Sequence, residues 1–359
     1  MKTLITARMN PTDIARVQPY LGEIVQAGYG VTNKKLSEAE FIKALIGVEI
    51  AIIEFEPVTA AVLDAARDLK ILACCRNEPG ANVDVSEASK RGIPILFTPG
   101  RNAIAVAEYT VGLVISIARS IPMTHHFLRH TEELTGANYS DKSGERKNIT
   151  SEWSLDPVAP FQRFSGVELF GKKIGLVGFG AIGREIAKRV KGFGMELLVM
   201  DPYVKADVLQ SYEARSCSLD EIAARSDFLV IAAKVTDQTR GMISQEIFRA
   251  MKPSAFFINT ARAAIVDYDA LTLALAEGRI AGAALDVYPI EPIPSDSPLR
   301  RLNNVILSPH LSGATHEVPI HHSKMVTDDL IALLEGRSPA ALANPEVLVE
   351  FQSTFKRDS

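Results

Sequence analysis

A chain of 359 residues with 47% hydrophobic and 23% charged residues has the composition of an ordinary globular protein, long enough for two domains that each bury a core. A formal charge of −4, with no basic run beyond Glu145-Arg146-Lys147, argues against nucleic acid as a partner. The three cysteines, Cys74, Cys75 and Cys217, form neither a CxxC pair nor a zinc spacing, which indicates a reducing, intracellular compartment.

The N-terminal sequence MKTLITARMNPTD predicts a strand followed by a cap and lacks the apolar core of a signal peptide. The most apolar helical stretch, residues 109–118, is too short to span a bilayer. We therefore expect a cytoplasmic protein that does not associate with a membrane.

Apolar runs alternate with amphipathic helical stretches in the first part of the chain. The predicted strands are residues 3–6, 24–25 with 30–31, 50–54, 71–75 and 95–97. The predicted helices between them are residues 37–46, 60–69 and 85–91. This alternation is typical of a parallel sheet with helices on both faces.

Residues 102–121 predict one long helix, apolar on every side and therefore buried between domains. Residues 131–165 then form a polar, turn-rich stretch that contains Trp153, the only tryptophan. Loops of this length are uncommon without a function, so the stretch is either a surface loop or an arm that reaches another subunit.

A glycine-rich motif follows a short apolar strand at residues 173–177. Gly178, Gly180 and Gly183 give the pattern G-x-G-x-x-G at the start of a predicted helix, residues 181–192. Such glycines make a tight turn, let the backbone approach a pyrophosphate and let helix pack on strand. The pyrophosphate would lie at the N–H groups and positive dipole end of the helix.

A second strand, residues 196–200, ends in Asp201. A carboxylate there can accept hydrogen bonds from the adenosine ribose hydroxyls and would repel a 2′-phosphate. No arginine follows directly in Pro202-Tyr203-Val204, so the motif favours NAD over NADP.

The alternation resumes after Asp201. Strands are predicted at residues 228–232, 255–259, 282–287 and 305–307, and helices at 244–251 and 268–277. One long helix, residues 317–335, then precedes a short tail that contains proline.

Three titratable residues follow predicted strands of this second half: Arg262, Glu291 and His310. Ligands of open parallel sheets bind at the carboxyl ends of the strands. An arginine fork binds a carboxylate, a histidine exchanges a proton near neutral pH, and a neighbouring glutamate favours the imidazolium and orients the ring. These groups suit the reduction of a 2-keto acid. Taken singly, Arg262 is also typical of a surface charge, Glu291 of an acid in a turn and His310 of a capping histidine.

Five motifs in order make the chain resemble the D-isomer-specific 2-hydroxyacid dehydrogenase family over nearly its whole length. They are TPGRNAIAVAE (98–108), VGFGAIG (177–183), NTARAAIVD (259–267), LDVYPIEP (285–292) and SPHLSGAT (308–315). The resemblance implies that Arg262 binds substrate, His310 is the acid/base and Glu291 is its partner. It implies NAD contacts from Gly178, Gly180, Ala181, Ile182, Gly183, Asp201, Thr260, Ala261, Asp286 and Gly313. Among these, Asp286 is expected to contact the nicotinamide amide.

The resemblance also implies the architecture: two doubly wound parallel-sheet α/β domains, with a Rossmann NAD domain inserted into a flavodoxin-like substrate domain. The predicted parts are residues 1–100 and 312–359 for the substrate domain and 101–311 for the NAD domain, with the loop or dimer arm at 131–165. Family members are usually homodimers, and the catalytic groups are expected in the cleft between the domains.

The chain departs from the family at the substrate loop, residues 75–84. Arg76, Asn77 and Glu78 stand where the family often has a Gly-rich loop, and with Asn102 they are the predicted substrate contacts. Our hypothesis is that Arg76 or Asn77 contacts a polar substrate tail; the alternative is that both point to solvent.

Further departures concern the phosphate-containing substrate of phosphoglycerate dehydrogenases. Those enzymes carry a basic residue where this chain has Glu54 and Glu56, and two acids beside a phosphate would be unfavourable. Ala263 replaces a glycine, a change that we expect to leave catalysis intact. Lys234 replaces a proline, and we expect its side chain in solvent, the alternative being a place near the pyrophosphate or the nicotinamide ribose.

Two other functions remain open on the sequence alone. Phosphite oxidation uses the same Arg–Glu–His set, whereas formate enzymes have glutamine in place of Glu291. A non-catalytic NAD(H)-sensing scaffold, like the corepressor branch of the family, is the alternative from another class. His125, His126 and His130 share a helix, but no carboxylate or cysteine completes a metal site, so no metal is predicted.

Overall fold

The structure is a computed structural model that describes residues 1–132, 134 and 160–355. Most of the predicted loop or arm at 131–165 lies outside the described residues. The chain divides into two compact units, Met1–Asn102 with Ala314–Ser359, and Ala103–Gly313.

The first unit contains a five-stranded, wholly parallel sheet of order β2-β1-β3-β4-β5. Its strands are β1 (Lys2–Ile5), β2 (Glu23–Gln26), β3 (Ile50–Ile53), β4 (Ile71–Cys74) and β5 (Ile95–Phe97). Its first helices are α1 (Pro11–Leu21), α2 (Tyr29–Thr32), α3 (Glu38–Ala44), α4 (Ala60–Ala65) and α5 (Val85–Lys90). Every residue of β3 and β4 is buried, as expected for central strands covered on both faces.

Two sequence predictions differ from this part of the fold. The cap after β1 begins an unpredicted helix, α1, where the Asn10 side chain accepts a hydrogen bond from the Thr12 N–H. The predicted strand at 30–31 is wrong, because these residues lie in α2. Gly28, at φ 63°, turns the chain there, and the Thr32 N–H bonds back to its carbonyl.

The second unit contains a seven-stranded parallel sheet of order β12-β11-β10-β9-β6-β7-β8. Its strands are β6 (Lys173–Val177), β7 (Glu196–Met200), β8 (Arg215–Ser216), β9 (Phe228–Ile231), β10 (Phe256–Asn259), β11 (Gly282–Leu285) and β12 (Val305–Leu307). Its helices are α6 (Ala103–Ala118), α7 (Ile121–His130), α8 (Pro160–Arg163), α9 (Ala181–Val190), α10 (Ala206–Ser211), α11 (Leu219–Arg225), α12 (Gln245–Ala250) and α13 (Tyr268–Ala276). Strand order reverses at β6, the point where open α/β sheets bind ligands.

The long helix predicted at 102–121 is confirmed as α6, which ends at Ala118, and a second helix, α7, begins at Ile121. Ser120, at φ 53°, is in the left-handed region and redirects the chain between them. Helix α6 packs within the core of the second unit, where Val114 and Ile117 contact the sheet cluster that includes Leu176. No single helix of the described residues is long and apolar enough to cross a membrane; by length and composition only, the bent pair α6 and α7 could.

After the second unit the chain returns to the first unit as α14 (Val318–Leu334) and α15 (Leu348–Phe355). Val326 and Leu330 of α14 pack in one cluster with Ile5 and Ile50 of the first sheet. The tail that contains proline forms a further helix, α15, which was not predicted, and Phe351 is buried in the same cluster. Both units are thus α/β layers around parallel sheets, the predicted fold class.

Candidate active site

The glycine loop joins β6 to α9, and each glycine meets a different constraint. Gly178 has φ 98°, and a Cβ there would lie 2.6 Å from the Ala233 nitrogen that follows β9. A Cβ on Gly183 would lie 2.6 Å from the Gly178 carbonyl oxygen. A Cβ on Gly180 would meet nothing within 4 Å, so space for a ligand remains above the backbone. This arrangement fits the pyrophosphate of a dinucleotide.

The first turn of α9 completes this cradle. Gly180 caps the helix without a side-chain hydrogen bond, which leaves the first N–H groups available to an anion. Ala181 is exposed and Ile182 half-buried on this turn. Both lie where the resemblance assigns pyrophosphate contacts.

Asp201, at the end of β7, holds the loop from the other side. Its Oδ2 accepts the Phe179 N–H at 2.7 Å, and its Oδ1 accepts the Tyr203 N–H at 3.0 Å. Each carboxylate oxygen has a second lone pair, so these bonds leave acceptor capacity for ribose hydroxyls. Asp201 therefore orients the glycine loop as well as carrying a charge to the cofactor edge.

The turn after β10 carries Arg262. The buried Asn259 shapes it: its Oδ1 accepts the Ala261 N–H at 3.0 Å and its Nδ2 donates to the Arg262 carbonyl at 3.2 Å. Thr260 is buried and bonds the Thr110 hydroxyl at 2.7 Å. Arg262 itself is exposed, with one guanidinium N–H on the Ala261 carbonyl at 2.7 Å. The remaining N–H groups of the fork are open to an anion.

Glu291 and His310 form a hydrogen-bonded pair at the ends of the adjacent strands β11 and β12. Glu291 Oε2 lies 2.6 Å from His310 Nδ1, and Glu291 Oε1 accepts the Tyr288 N–H at 3.0 Å. Partial burial raises the pKa of Glu291, but the bonds from His310 and Tyr288 and the charge of Arg262 together hold that pKa below its ordinary value. The pair is therefore an ionised carboxylate against an imidazole.

Arg262, Glu291 and His310 line one pocket of about 600 Å³ in the second unit. Val287 and Ala263 contribute apolar walls to it. Three groups that sequence analysis singled out separately thus meet in one cavity, at the carboxyl ends of three neighbouring strands.

The loop after β12 has an unusual backbone at His310, which has φ 54° although it is not a glycine. Such conformations cost free energy and persist where the surroundings fix them. Asp286, which has no exposed surface, accepts the Ser308 hydroxyl at 2.7 Å and the N–H groups of Leu311 and Ser312 at 2.9 and 2.8 Å. Asp286, which the resemblance assigns to the nicotinamide amide, thus anchors the loop that carries His310. Gly313, which follows this loop, is half-buried.

The predicted substrate residues belong to the first unit. The Arg76 guanidinium lies 5.3 Å from the centroid of the Phe55 ring, a cation–π contact. Asn77 is engaged at both ends of its amide, accepting the Gly100 N–H at 3.0 Å and donating to Asn102 Oδ1 at 2.9 Å. Glu78 is exposed. Asn77 and Asn102 therefore fix the loop, while Arg76 and Glu78 have freer side chains.

The acids after β3 are buried rather than displayed. Glu56 accepts the Thr6 hydroxyl at 2.6 Å, and Glu54 pairs with Arg101 at 2.6 Å. Arg101 also contacts His322 Nδ1 at 2.8 Å, and burial lowers the pKa of His322. Glu54 is neutralised by Arg101, whereas Glu56 is buried without an ion-pair partner among the described residues, so the electrostatic argument against a substrate phosphate weakens for Glu54 alone.

No group of three or more histidine, cysteine, aspartate or glutamate side chains that could hold a metal ion is found among residues 1–132, 134 and 160–355. His126 and His130 of α7 stack at 5.0 Å between ring centroids. Lys234 is exposed, and its carbonyl accepts the Thr239 hydroxyl at 2.7 Å.

Asn259 and Tyr288 lie in two of the family motifs but were not among the predicted site residues. Residue type is the feature of the sequence that could have indicated a structural role for them. A buried amide at the end of a strand and a buried tyrosine hydroxyl in an apolar run both require hydrogen-bond partners. Only the fold identifies the partners.

Comparison with known proteins identifies the family of the chain. Residues 112–312 match the family described as "D-isomer specific 2-hydroxyacid dehydrogenase, NAD binding domain". The glyoxylate reductase of Thermofilum pendens is 38% identical over 82% of this chain and 80% of its own. The D-3-phosphoglycerate dehydrogenase of Methanocaldococcus jannaschii is 33% identical over 96% of this chain and 59% of its own.

Solved structures show the same fold. The D-isomer specific 2-hydroxyacid dehydrogenase of Lactobacillus delbrueckii ssp. bulgaricus, in its NAD complexed form, superposes with a TM-score of 0.74. The comparison covers 96% of this chain and 100% of that one at 20% identity.

Proposed function

The chain belongs to the D-isomer-specific 2-hydroxyacid dehydrogenase family, an NAD-dependent oxidoreductase family, and from that premise we propose that it interconverts a D-2-hydroxy acid and its 2-keto acid through Arg262, Glu291 and His310. The observation that carries the proposal is the 2.6 Å contact between Glu291 and His310 in a pocket that also holds Arg262.

Arg262 binds the substrate carboxylate. Its planar fork makes two parallel hydrogen bonds to a carboxylate and polarises the neighbouring carbonyl. The position favours this role, because Asn259 fixes the Arg262 backbone while the side chain stays exposed to the pocket.

His310 moves the proton. Since Nδ1 faces Glu291, Nε2 is the ring nitrogen left for the substrate oxygen. In reduction the ring gives its proton to the carbonyl oxygen, and in oxidation it takes the hydroxyl proton. Glu291 stabilises the protonated ring and holds its orientation. When bound, NADH would supply the hydride in reduction and NAD⁺ would accept it in oxidation.

The cofactor edge of the same sheet would hold NAD. We assign the pyrophosphate to the N–H groups after Gly180, with Ala181 and Ile182, and the adenosine ribose to Asp201. The open space beside Gly180 supports the first assignment, and the unused lone pairs of Asp201 support the second. Thr260, Ala261 and Gly313 remain proposed contacts of the nicotinamide half.

Short 2-keto acids come first among the substrates that we propose, with glyoxylate and hydroxypyruvate as the leading pair. Similarity to glyoxylate reductases at 38% identity supports them. Phosphohydroxypyruvate is retained, because Glu54 is paired with Arg101, Glu56 is buried, and a D-3-phosphoglycerate dehydrogenase is 33% identical.

The test is a substrate panel with NADH and NADPH in parallel. The panel contains glyoxylate, hydroxypyruvate, a sugar-derived 2-keto acid and phosphohydroxypyruvate, with phosphite and NAD⁺ in the oxidative direction. We expect turnover of at least one keto acid with NADH. Turnover of phosphite alone would replace the proposal with phosphite oxidation, and NADH binding without any turnover would replace it with a sensor.

A further inference from the structure

Tyr288 lies where the two loops that carry Glu291 and His310 meet. The residue is 6% exposed and belongs to the segment that follows β11. Its hydroxyl oxygen is 2.9 Å from the Leu285 carbonyl, 2.9 Å from the Ser308 carbonyl and 3.1 Å from the Ser308 nitrogen. The hydroxyl thus donates to a carbonyl, accepts the Ser308 N–H, and bridges the end of β11 to the loop after β12.

The backbone of Tyr288 contacts Glu291, three residues further along the same loop. The Tyr288 N–H donates to Glu291 Oε1 at 3.0 Å, while the second carboxylate oxygen faces His310. One residue therefore bonds directly to Glu291 and, through its side chain, to a residue two positions before His310.

The backbone of His310 makes this bridge consequential. At φ 54° it adopts a conformation that a histidine rarely takes without support. Asp286 anchors the far side of the loop through the N–H groups of Leu311 and Ser312. On the near side Tyr288 bonds the Ser308 backbone and Asp286 accepts the Ser308 hydroxyl, so the strained residue lies between two fixed points.

We propose that Tyr288 is a positioning residue, one that fixes the ring of His310 against Glu291 through a hydroxyl bonded to the backbone of Leu285 and Ser308. The inference rests on the proposed function of Glu291 and His310. Burial raises the pKa of the Tyr288 phenol to about 12, so its hydroxyl keeps its proton as a donor throughout the working range.

The test compares Tyr288→Phe with Tyr268→Phe. Tyr268 is a matched control, because its buried hydroxyl donates to the Val287 carbonyl of the same segment but does not reach Ser308. In Tyr288→Phe we expect kcat for keto-acid reduction to fall about tenfold, the worth of one buried hydrogen bond. NADH affinity stays unchanged, and the falling limb of the pH profile of kcat/KM moves to lower pH. In Tyr268→Phe that limb stays at its wild-type position.

A double variant separates positioning from general loosening. If Tyr288 acts through Glu291, the variant Tyr288→Phe/Glu291→Gln is little slower than the slower single variant. Additive losses, a wild-type kcat in Tyr288→Phe, or an equal shift of the limb in Tyr268→Phe would each overturn the inference. Wild-type turnover in both Glu291→Gln and His310→Ala would instead overturn the proposed function itself, which keeps the two failures distinguishable.

Discussion

Replacing Glu291 by glutamine removes the charge beside His310 and keeps the shape of the side chain. Glutamine retains a carbonyl oxygen that can accept from the Tyr288 N–H or from His310 Nδ1. The variant therefore removes the charge and one of the two hydrogen bonds of Glu291, while the size of the side chain is kept.

The structure sets the size of the effect. A charge-assisted hydrogen bond contributes about 1.5–3 kcal/mol, whereas exposed ion pairs contribute about 0.2–1 kcal/mol. The 2.6 Å contact is short, but the side chains of His310 and Glu291 are 42% and 35% exposed. We therefore take about 1 kcal/mol, which at about 1.4 kcal/mol per pH unit corresponds to about 0.7 unit.

The sign follows from the reaction. Keto-acid reduction needs the protonated ring, so the rate falls as pH rises and the ring loses its proton. The lowered pKa of Glu291 keeps that carboxylate ionised across this range, where it favours the protonated ring. Without the charge, the falling limb of kcat/KM should move to lower pH by about 0.7 unit.

The assay is the pH profile of kcat/KM for the best keto acid, followed by NADH absorbance. Asp269→Asn is a suitable control, because Asp269 lines the same pocket without bonding His310. A limb that stays in place in Glu291→Gln, or that moves as far in Asp269→Asn, would refute the reasoning.

Three further predictions concern the second unit. Gly180→Ala should leave the melting temperature unchanged and weaken NADH binding at least tenfold by calorimetry. Gly183→Ala should lower both the melting temperature and the affinity for NADH. A lower melting temperature in Gly180→Ala would contradict the assignment of open space beside Gly180. Asp201→Asn should raise the kcat/KM ratio of NADPH over NADH, and an unchanged ratio would exclude Asp201 as the ribose contact. Burial raises the pKa of Asp227, but the hydrogen bonds from Lys173 and Lys252 hold that pKa below its ordinary value. Asp227→Asn should therefore lower the free energy of unfolding in urea by about 1 kcal/mol at pH 7. This difference between wild type and variant should disappear as pH falls through the lowered pKa, and a difference that is constant with pH would contradict the prediction.

Much of the fold could be predicted because apolar runs and glycines act locally. The runs at β3, β4 and β10 are strands since their residues are buried on both faces of a parallel sheet. The glycine pattern predicted a dinucleotide loop because only glycine tolerates the contacts at Gly178 and Gly183.

The failures arose where a single backbone angle or a distant contact decides the structure. Gly28, at φ 63°, turns the chain into α2, where a strand was predicted at residues 30–31. Helix α15 forms where Phe351 finds a core cluster built largely from the other end of the chain.

The candidate site also contains residues that could be predicted from the sequence and one that could not. Arg262, Glu291 and His310 could be found because their motifs follow strands of one sheet. The role of Tyr288 could not, because it depends on a hydroxyl reaching Ser308 across two strand ends. The homodimer, the cytoplasmic location and the role of Arg76 in substrate binding stay predictions.

The central claim is that His310 exchanges the proton in an NAD-dependent reaction of a 2-keto acid. The most direct measurement is kcat for reduction of the best keto acid by His310→Ala, alongside its Kd for NADH. We predict that kcat falls by about 10²–10⁴-fold, the usual contribution of general acid catalysis, while Kd for NADH stays within about twofold. A wild-type kcat, or losses of equal size in kcat and NADH affinity, would contradict the account.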